Sequence, residues 1–310
     1  MQTILGANGI IGEEVAKYLA QQYNVPLRLV GRNPVLVNEK DELFKADLLD
    51  LDQVKAALNN TEIAYLTVGL PYNSEVWLRD WPIVLANVVE ACKAQGCKLV
   101  YFDNTYAYPQ DSKIQIEDTP LAGQGKKGRA KKLACEILLE AMTKQELEAA
   151  ICRAPEFYGP GKTKSITNTL LFDNIKAGKK PKVFLNDRVK RTLIYTPDAS
   201  RAMALIGNTP AAYGQTWHLP CDDRRLTYQE FIQEIGRQLG RDIQYNVLNT
   251  FILKIAGFFN VNVKETAELF PRYRIDNIFD SSKFKTQFPD FQVTSYQEGI
   301  KAILEDLAIE

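Results

Sequence analysis

The apolar residues in the first half of the chain concentrate in short runs, at residues 3–5, 26–31, 43–46, 62–68, 98–103 and 149–153, with Arg28 and Lys45 as charged interruptions of the second and third. Apolar runs that short predict strands of a buried sheet. The stretches between them carry helical spacing: after residue 9, at 52–58, at 76–94 and at 125–142. Strands separated by crossover helices of this length predict a parallel, doubly wound α/β sheet of the Rossmann kind. Past Pro155 the pattern loosens into Gly/Pro/Lys-rich loops at 158–162 and 177–181, mixed with shorter helices. Residues 156–310 are therefore expected to form mainly a smaller C-terminal α/β substrate-binding lobe, with some segments returning to the first domain. A ligand cleft is expected between the two.

The first strand runs directly into Gly6-Ala7-Asn8-Gly9-Ile10-Ile11-Gly12 and then a helix. Gly6 allows the turn off the strand, Gly9 has no Cβ to block a pyrophosphate, and Gly12 lets the helix lie close to the sheet. Phosphate can then sit on the unpaired N–H groups at the helix N-terminus, so Asn8, Ile10 and Ile11 join the glycines as cofactor-binding positions. Residues 1–155 are thus read as a dinucleotide-binding domain. NAD-preferring folds place a carboxylate at the end of the second strand; this chain has Gly31-Arg32-Asn33. Arg32 can pair with a 2′-phosphate, and NADP is expected over NAD. Asp47 and Leu48, after the third strand, and Gly69, after the fourth, are further expected cofactor contacts. Capping of the next helix is the competing role for Asp47.

Lys plus Arg and Asp plus Glu number 38 each, so no net field draws the chain to nucleic acid or an anionic membrane. No apolar stretch approaches a bilayer span, and no signal-like segment precedes the first strand; a cytoplasmic protein is expected. Cys92, Cys97, Cys135, Cys152 and Cys221 form no Cys-x-x-Cys pair and read as buried free thiols. His218 is the single histidine, so His-based triads and His-rich metal sites are excluded by inventory.

The order of motifs resembles the extended short-chain dehydrogenase/reductase family, the NAD-dependent epimerase/dehydratase group, over nearly the whole chain. The resemblance rests on the glycine turn, on Leu99 to Tyr108, on Arg153-Ala154-Pro155-Glu156-Phe157-Tyr158-Gly159-Pro160-Gly161, and on Arg191 to Ala199. Trp217-His218-Leu219-Pro220 and Leu226 to Phe231 complete it. It implies a Rossmann fold, a nicotinamide cofactor, a small-molecule substrate and a homodimer built from the helices at 76–94 and 125–142. An apolar stripe on those helices can equally be core.

The family's chemistry uses a Tyr-x-x-x-Lys pair on one helix, the lysine lowering the tyrosine pKa and holding the nicotinamide ribose. Lys132 matches the lysine, but the tyrosine position is Gly128, and the family's Ser/Thr after the fifth strand is Asn104. Three outcomes fit these residues. The proton donor has moved to Tyr106, with Asn104 holding the substrate oxygen and Tyr108 or Asp103 as further candidates. Alternatively the fold keeps NADP(H) without catalysis, as in NmrA-like redox sensors, or the tyrosines simply fill the cleft wall.

In the second half, Glu156 stands where nucleotide-sugar enzymes of the family carry an asparagine, and a carboxylate there is expected to repel a diphosphate. Lys162, Lys164, Arg188 and Arg191 keep an anionic substrate open. The apolar segment 251–259 reads as a pocket lining, lobe core or dimer face, and the pairs Lys126-Lys127 and Lys179-Lys180 as solvated loops.

Overall fold

Six strands of the first half, β1 (Gln2–Leu5), β2 (Leu27–Gly31), β3 (Glu42–Lys45), β4 (Ile63–Leu66), β5 (Lys98–Asn104) and β6 (Ala149–Ala154), join a later strand, Gln215–His218, in one parallel sheet. The order is Gln215–His218, β6, β5, β4, β1, β2, β3, so the winding reverses at β1, which pairs with β2 on one side and β4 on the other. The doubly wound parallel sheet expected from the apolar runs is the one present. Every residue of β1 and β4 is buried, as strands covered on both faces require, whereas the edge strand β3 exposes Glu42, Leu43 and Lys45. Residues 1–309 are described by this computed structural model.

Helices α1 (Ile10–Gln22), α2 (Leu51–Ala57), α3 (Ser74–Gln95) and α4 (Gly125–Thr143) cover the sheet. Asn73 starts α3 by accepting from the N–H groups of Glu75 and Val76, both at 3.0 Å, and Gly96, at φ 64°, ends it. Trp77, Trp81, Leu85, Val88 and Cys92 on α3 pack with Ala130, Ala134 and Leu138 on α4 over Leu99, Tyr101 and Ile151. The buried stripe of α4 also includes Lys127 and Lys131. The expectation of a solvated loop at Lys126-Lys127 is therefore corrected: both lie in α4, and Lys127 is fully buried. All five cysteines are free and buried, as expected.

Two compact units emerge. The first holds the sheet (Met1–Tyr108, Pro120–Ala154, Ala199–Leu219); the second comprises Pro109–Thr119, Pro155–Asp198 and the chain from Pro220. The second unit is built on two strand pairs, Glu156–Tyr158 with Leu193–Tyr195 and Lys182–Phe184 with Asn246–Leu248. Its core is an aromatic cluster of Tyr158, Phe231 and Tyr296, with ring centroids 5.5–5.8 Å apart. Helix Thr250–Phe259 corrects one expectation: it buries only Leu253 and leaves Phe251, Phe258 and Phe259 largely exposed, so this segment is not lobe core. No helix among the described residues is long and apolar enough to cross a membrane.

Candidate functional site

The glycine turn joins β1 to α1 with a separate role for each glycine. Gly6 has φ +96°, and a Cβ on it would lie 2.4 Å from the backbone of Val68, just past β4. Gly12 faces Thr67 Oγ1 and the Gly6 carbonyl oxygen, which an added Cβ would meet at 2.7 and 2.8 Å. Gly9 is different: it is exposed, and a Cβ would come no nearer than 3.5 Å to any other part of the protein. Its bare backbone thus serves the space outside the turn rather than packing within it. Gly9 also caps α1 without a side-chain hydrogen bond, so the first N–H groups of the helix, on Ile10, Ile11 and Gly12, are left for an outside acceptor. Asn8 ties the turn to the loop after β2, donating to the Asn33 carbonyl at 2.6 Å and accepting from the Val35 N–H at 3.3 Å. Replacing Gly6 with alanine should strain this turn whatever the space around it. The expected cost is about 1–3 kcal/mol, read as a lower thermal midpoint, and an unchanged midpoint would contradict the assigned role.

Around the same strand ends, Arg32 follows β2 and is exposed, with no ion pair to any described residue. Asp47 follows β3; its Oδ1 accepts from the Leu49 N–H at 3.1 Å, and Asp50 is the residue that caps α2. The capping role considered for Asp47 is thereby excluded. Leu48 is buried, and Gly69, after β4, is exposed with nothing near its missing side chain. These positions share the carboxyl ends of the strands flanking the reversal at β1, where open α/β sheets bind ligands. An exposed turn with unclaimed N–H groups, beside an unpaired arginine, fits the diphosphate of a dinucleotide.

At the end of β5 the chain tightens into a 3₁₀ turn, Thr105–Ala107. Asn104 caps it, its Oδ1 accepting the Tyr106 N–H at 3.1 Å, which leaves the amide NH₂ as the end able to donate elsewhere. Tyr106 is half-buried; its hydroxyl lies 2.9 Å from that of Tyr72, and its ring packs against Trp77 at 5.1 Å between centroids. Gly128 packs against the same turn. A Cβ on Gly128 would stand 2.9 Å from the Tyr106 carbonyl oxygen and 3.2 Å from the Gly123 backbone, so no larger side chain fits without moving main chain. Lys132, one turn along α4, is partly exposed and reaches Glu136 only at 3.8 Å.

The two further proton-donor candidates are corrected by burial. Asp103 is wholly enclosed, 2.9 Å from Lys131 Nζ and 2.8 Å from Arg153 Nε, and accepts from Cys135 Sγ at 3.2 Å. Burial alone would raise its carboxyl, but the Lys131 and Arg153 cations overcome this and hold it well below the usual carboxylate range. It remains an anion and has no proton to donate. Tyr108 is equally buried, 2.7 Å from both Arg153 Nη1 and His218 Nε2. Lys131 completes the cluster, donating to Tyr101 and lying 3.8 Å from the centre of the Trp81 ring. Burial, with the Asp103 charge second, pushes the Cys135 thiol up to about 12.

In the second unit, Glu156 binds Arg191 at 2.8 Å and accepts from the Tyr228 and Tyr273 hydroxyls at 2.8 and 2.9 Å. The guanidinium neutralises the carboxylate, so the expected repulsion of a diphosphate by Glu156 does not stand. Nor is Arg191 open to an anionic substrate: it is buried and spends its donors on Glu156 and the Arg272 carbonyl. Lys162, Lys164 and Arg188 remain exposed.

The NAD-dependent epimerase/dehydratase family model matches residues 3–218. The chain belongs to this family. Its fold is similar to that of UDP-glucuronic acid 4-epimerase from Bacillus cereus in complex with UDP-glucuronic acid and NAD, with a TM-score of 0.81, 17% identity and 99% of each chain covered. UDP-glucose 4-epimerase from Thermus thermophilus, in complex with NAD, gives a TM-score of 0.77 at 14% identity, again with 99% of each chain covered. UDP-N-acetylglucosamine 4-epimerase from Bacillus cereus gives 0.76 at 17% identity, also over 99% of each chain. No curated protein matches the chain.

Proposed function

We propose that the chain is a nicotinamide-dinucleotide-dependent oxidoreductase or epimerase-like enzyme acting on a small carbonyl or hydroxyl compound, with Tyr106 in place of the tyrosine missing at 128. The observation that carries this reading is the 3₁₀ turn after β5. It occupies the space against Gly128 and presents a half-buried phenol of its own. The Gly6 to Gly12 turn, with the α1 N–H groups, would hold the pyrophosphate. Arg32, Asp47, Leu48 and Gly69 would line the adenosine side, and Lys132 would donate to the nicotinamide ribose. When bound, the nicotinamide gives or accepts hydride. Tyr106 gives or takes the proton on the substrate oxygen, and the Asn104 amide donates to that oxygen. The second unit, read from the sequence as the substrate-binding lobe, carries exposed cations at Lys162, Lys164 and Arg188.

The cofactor reading favours NADP(H), although two of the similar structures carry NAD in their descriptions. Arg32 supports it: a cation follows β2 where a carboxylate would repel the 2′-phosphate. Calorimetric titration with NADPH and NADH tests the choice. Arg32→Ala should weaken NADPH about ten- to one-hundred-fold, the value of charge-assisted hydrogen bonds of about 1.5–3 kcal/mol, and leave NADH nearly unchanged. Equal losses for both would remove the argument. A screen of aldehydes, ketones and enones for NADPH oxidation tests turnover. Tight cofactor binding with no turnover across the screen would favour the redox-sensor alternative.

A further inference from the structure

Beside Tyr106 the loop from β4 to α3 brings up a second phenol. Trp77 Nε1 donates to the Pro71 carbonyl at 2.9 Å and fixes this loop. The same indole packs edge-on to Tyr72 at 5.8 Å and against Tyr106 at 5.1 Å, so one ring orients both phenols and holds their hydroxyls 2.9 Å apart. Under the Tyr72 ring, 4.5 Å from its centre, lies the ammonium of Lys127, wholly buried and donating to Ser74 Oγ at 2.9 Å. Close by on the same two helices, Lys126 pairs with Glu75, Arg79 with Asp80, and Lys131 with Asp103. Burying an ammonium is costly, and one placed beneath a phenol favours the phenolate form of that phenol.

We propose that Tyr72 is the second member of a phenol pair with Tyr106, handing protons to and from the Tyr106 hydroxyl while the Lys127 ammonium supports the charge the pair carries between transfers. This rests on the reading that Tyr106 exchanges a proton with substrate. In the reducing direction the Tyr106 O–H proton goes to the substrate oxygen, and the resulting phenolate takes the Tyr72 proton. Tyr72, half-buried, regains a proton from water. In the oxidising direction each proton runs the opposite way. Tyr72 touches Tyr106 rather than substrate, so it is a relay and positioning residue. Lys127 would thus supply from the buried stripe of α4 the charge that the family draws from its Tyr-x-x-x-Lys lysine.

The test needs no substrate. In alkaline absorbance titration of the purified full chain, one phenolate should form about one pH unit or more below the ordinary tyrosine value of about 10. The signal is separable because burial pushes Tyr65, Tyr101, Tyr158, Tyr228 and Tyr273 upward. Tyr72→Phe should abolish the early phenolate, Lys127→Met should return it to the ordinary range, and Lys127→Arg should retain it, with circular dichroism verifying the fold of each variant. Absence of an early phenolate in the unmodified chain, or its persistence in Tyr72→Phe, would overturn the pair. An early phenolate that behaves as expected in a chain turning over no carbonyl compound supports the pair and removes the enzymatic reading. Turnover whose pH–rate profile is unchanged by Tyr72→Phe overturns the pair and leaves that reading intact.

Discussion

Tyr106→Phe is expected to lower turnover about 10²–10⁴-fold on any carbonyl compound the protein reduces, the usual loss when a positioned acid is removed. The phenyl ring keeps the packing against Trp77, and the cap from Asn104 uses the backbone N–H of residue 106, so the turn should hold its shape. NADPH affinity should stay nearly constant, because none of the residues assigned to the cofactor bonds to the Tyr106 hydroxyl. Lys132→Ala should behave differently, weakening NADPH and NADH alike and slowing turnover, since it removes a cation assigned to the ribose both cofactors share. Steady-state rates beside calorimetric affinities separate the two patterns. Full turnover in Tyr106→Phe would defeat the relocated-donor reading. Asp103 and Tyr108 could not take over the role, because both are enclosed and committed to the Arg153 cluster.

The strands and the glycine turn were legible because their causes are local. Continuous apolar runs mark β1, β4, β5 and β6, and the glycine spacing between a strand and a helix marks the turn, although the atoms that crowd Gly6 and Gly12 include Val68 and Thr67 from the end of β4. The α4 lysines show where local reading stops. Four lysines at 126, 127, 131 and 132 look equally polar, yet two are buried and two reach toward solvent. The signal lay in the periodicity of their neighbours: Ala130, Ala134 and Leu138 define a buried stripe, and helical spacing puts Lys127 and Lys131 on it. What neutralises Lys131 was not legible, because Asp103 and Trp81 arrive from β5 and α3 through tertiary packing. Glu156 failed for the same reason. Its partners Arg191, Tyr228 and Tyr273 are 35 to 117 residues distant in sequence, so its charge had to be read as bare.

The buried cluster around Asp103 carries the largest expected effect on stability. Asp103→Asn keeps the shape but leaves Lys131 and Arg153 enclosed without their shared anion, and removing one partner of a buried ionic group typically costs about 3–5 kcal/mol. The urea midpoint at neutral pH should fall accordingly. Lys131→Met in the same chain should recover part of that loss, since it restores the wild-type excess of one buried cation, a coupling that independent sites would not show. The pH dependence follows from the depressed carboxyl of Asp103. Above about pH 4, the ordinary aspartate value, the carboxylate is charged in both the folded and unfolded chain, and its stabilising contribution is complete. As pH falls below that value the unfolded chain takes up the proton while the folded one resists, so stability drains away toward the lower folded-state value. The wild-type protein should therefore lose more stability than Asp103→Asn between pH 5 and pH 3, about one unit either side of that value. Parallel losses, or a single variant as stable as the wild type at neutral pH, would show that the cluster is not held together by its charge.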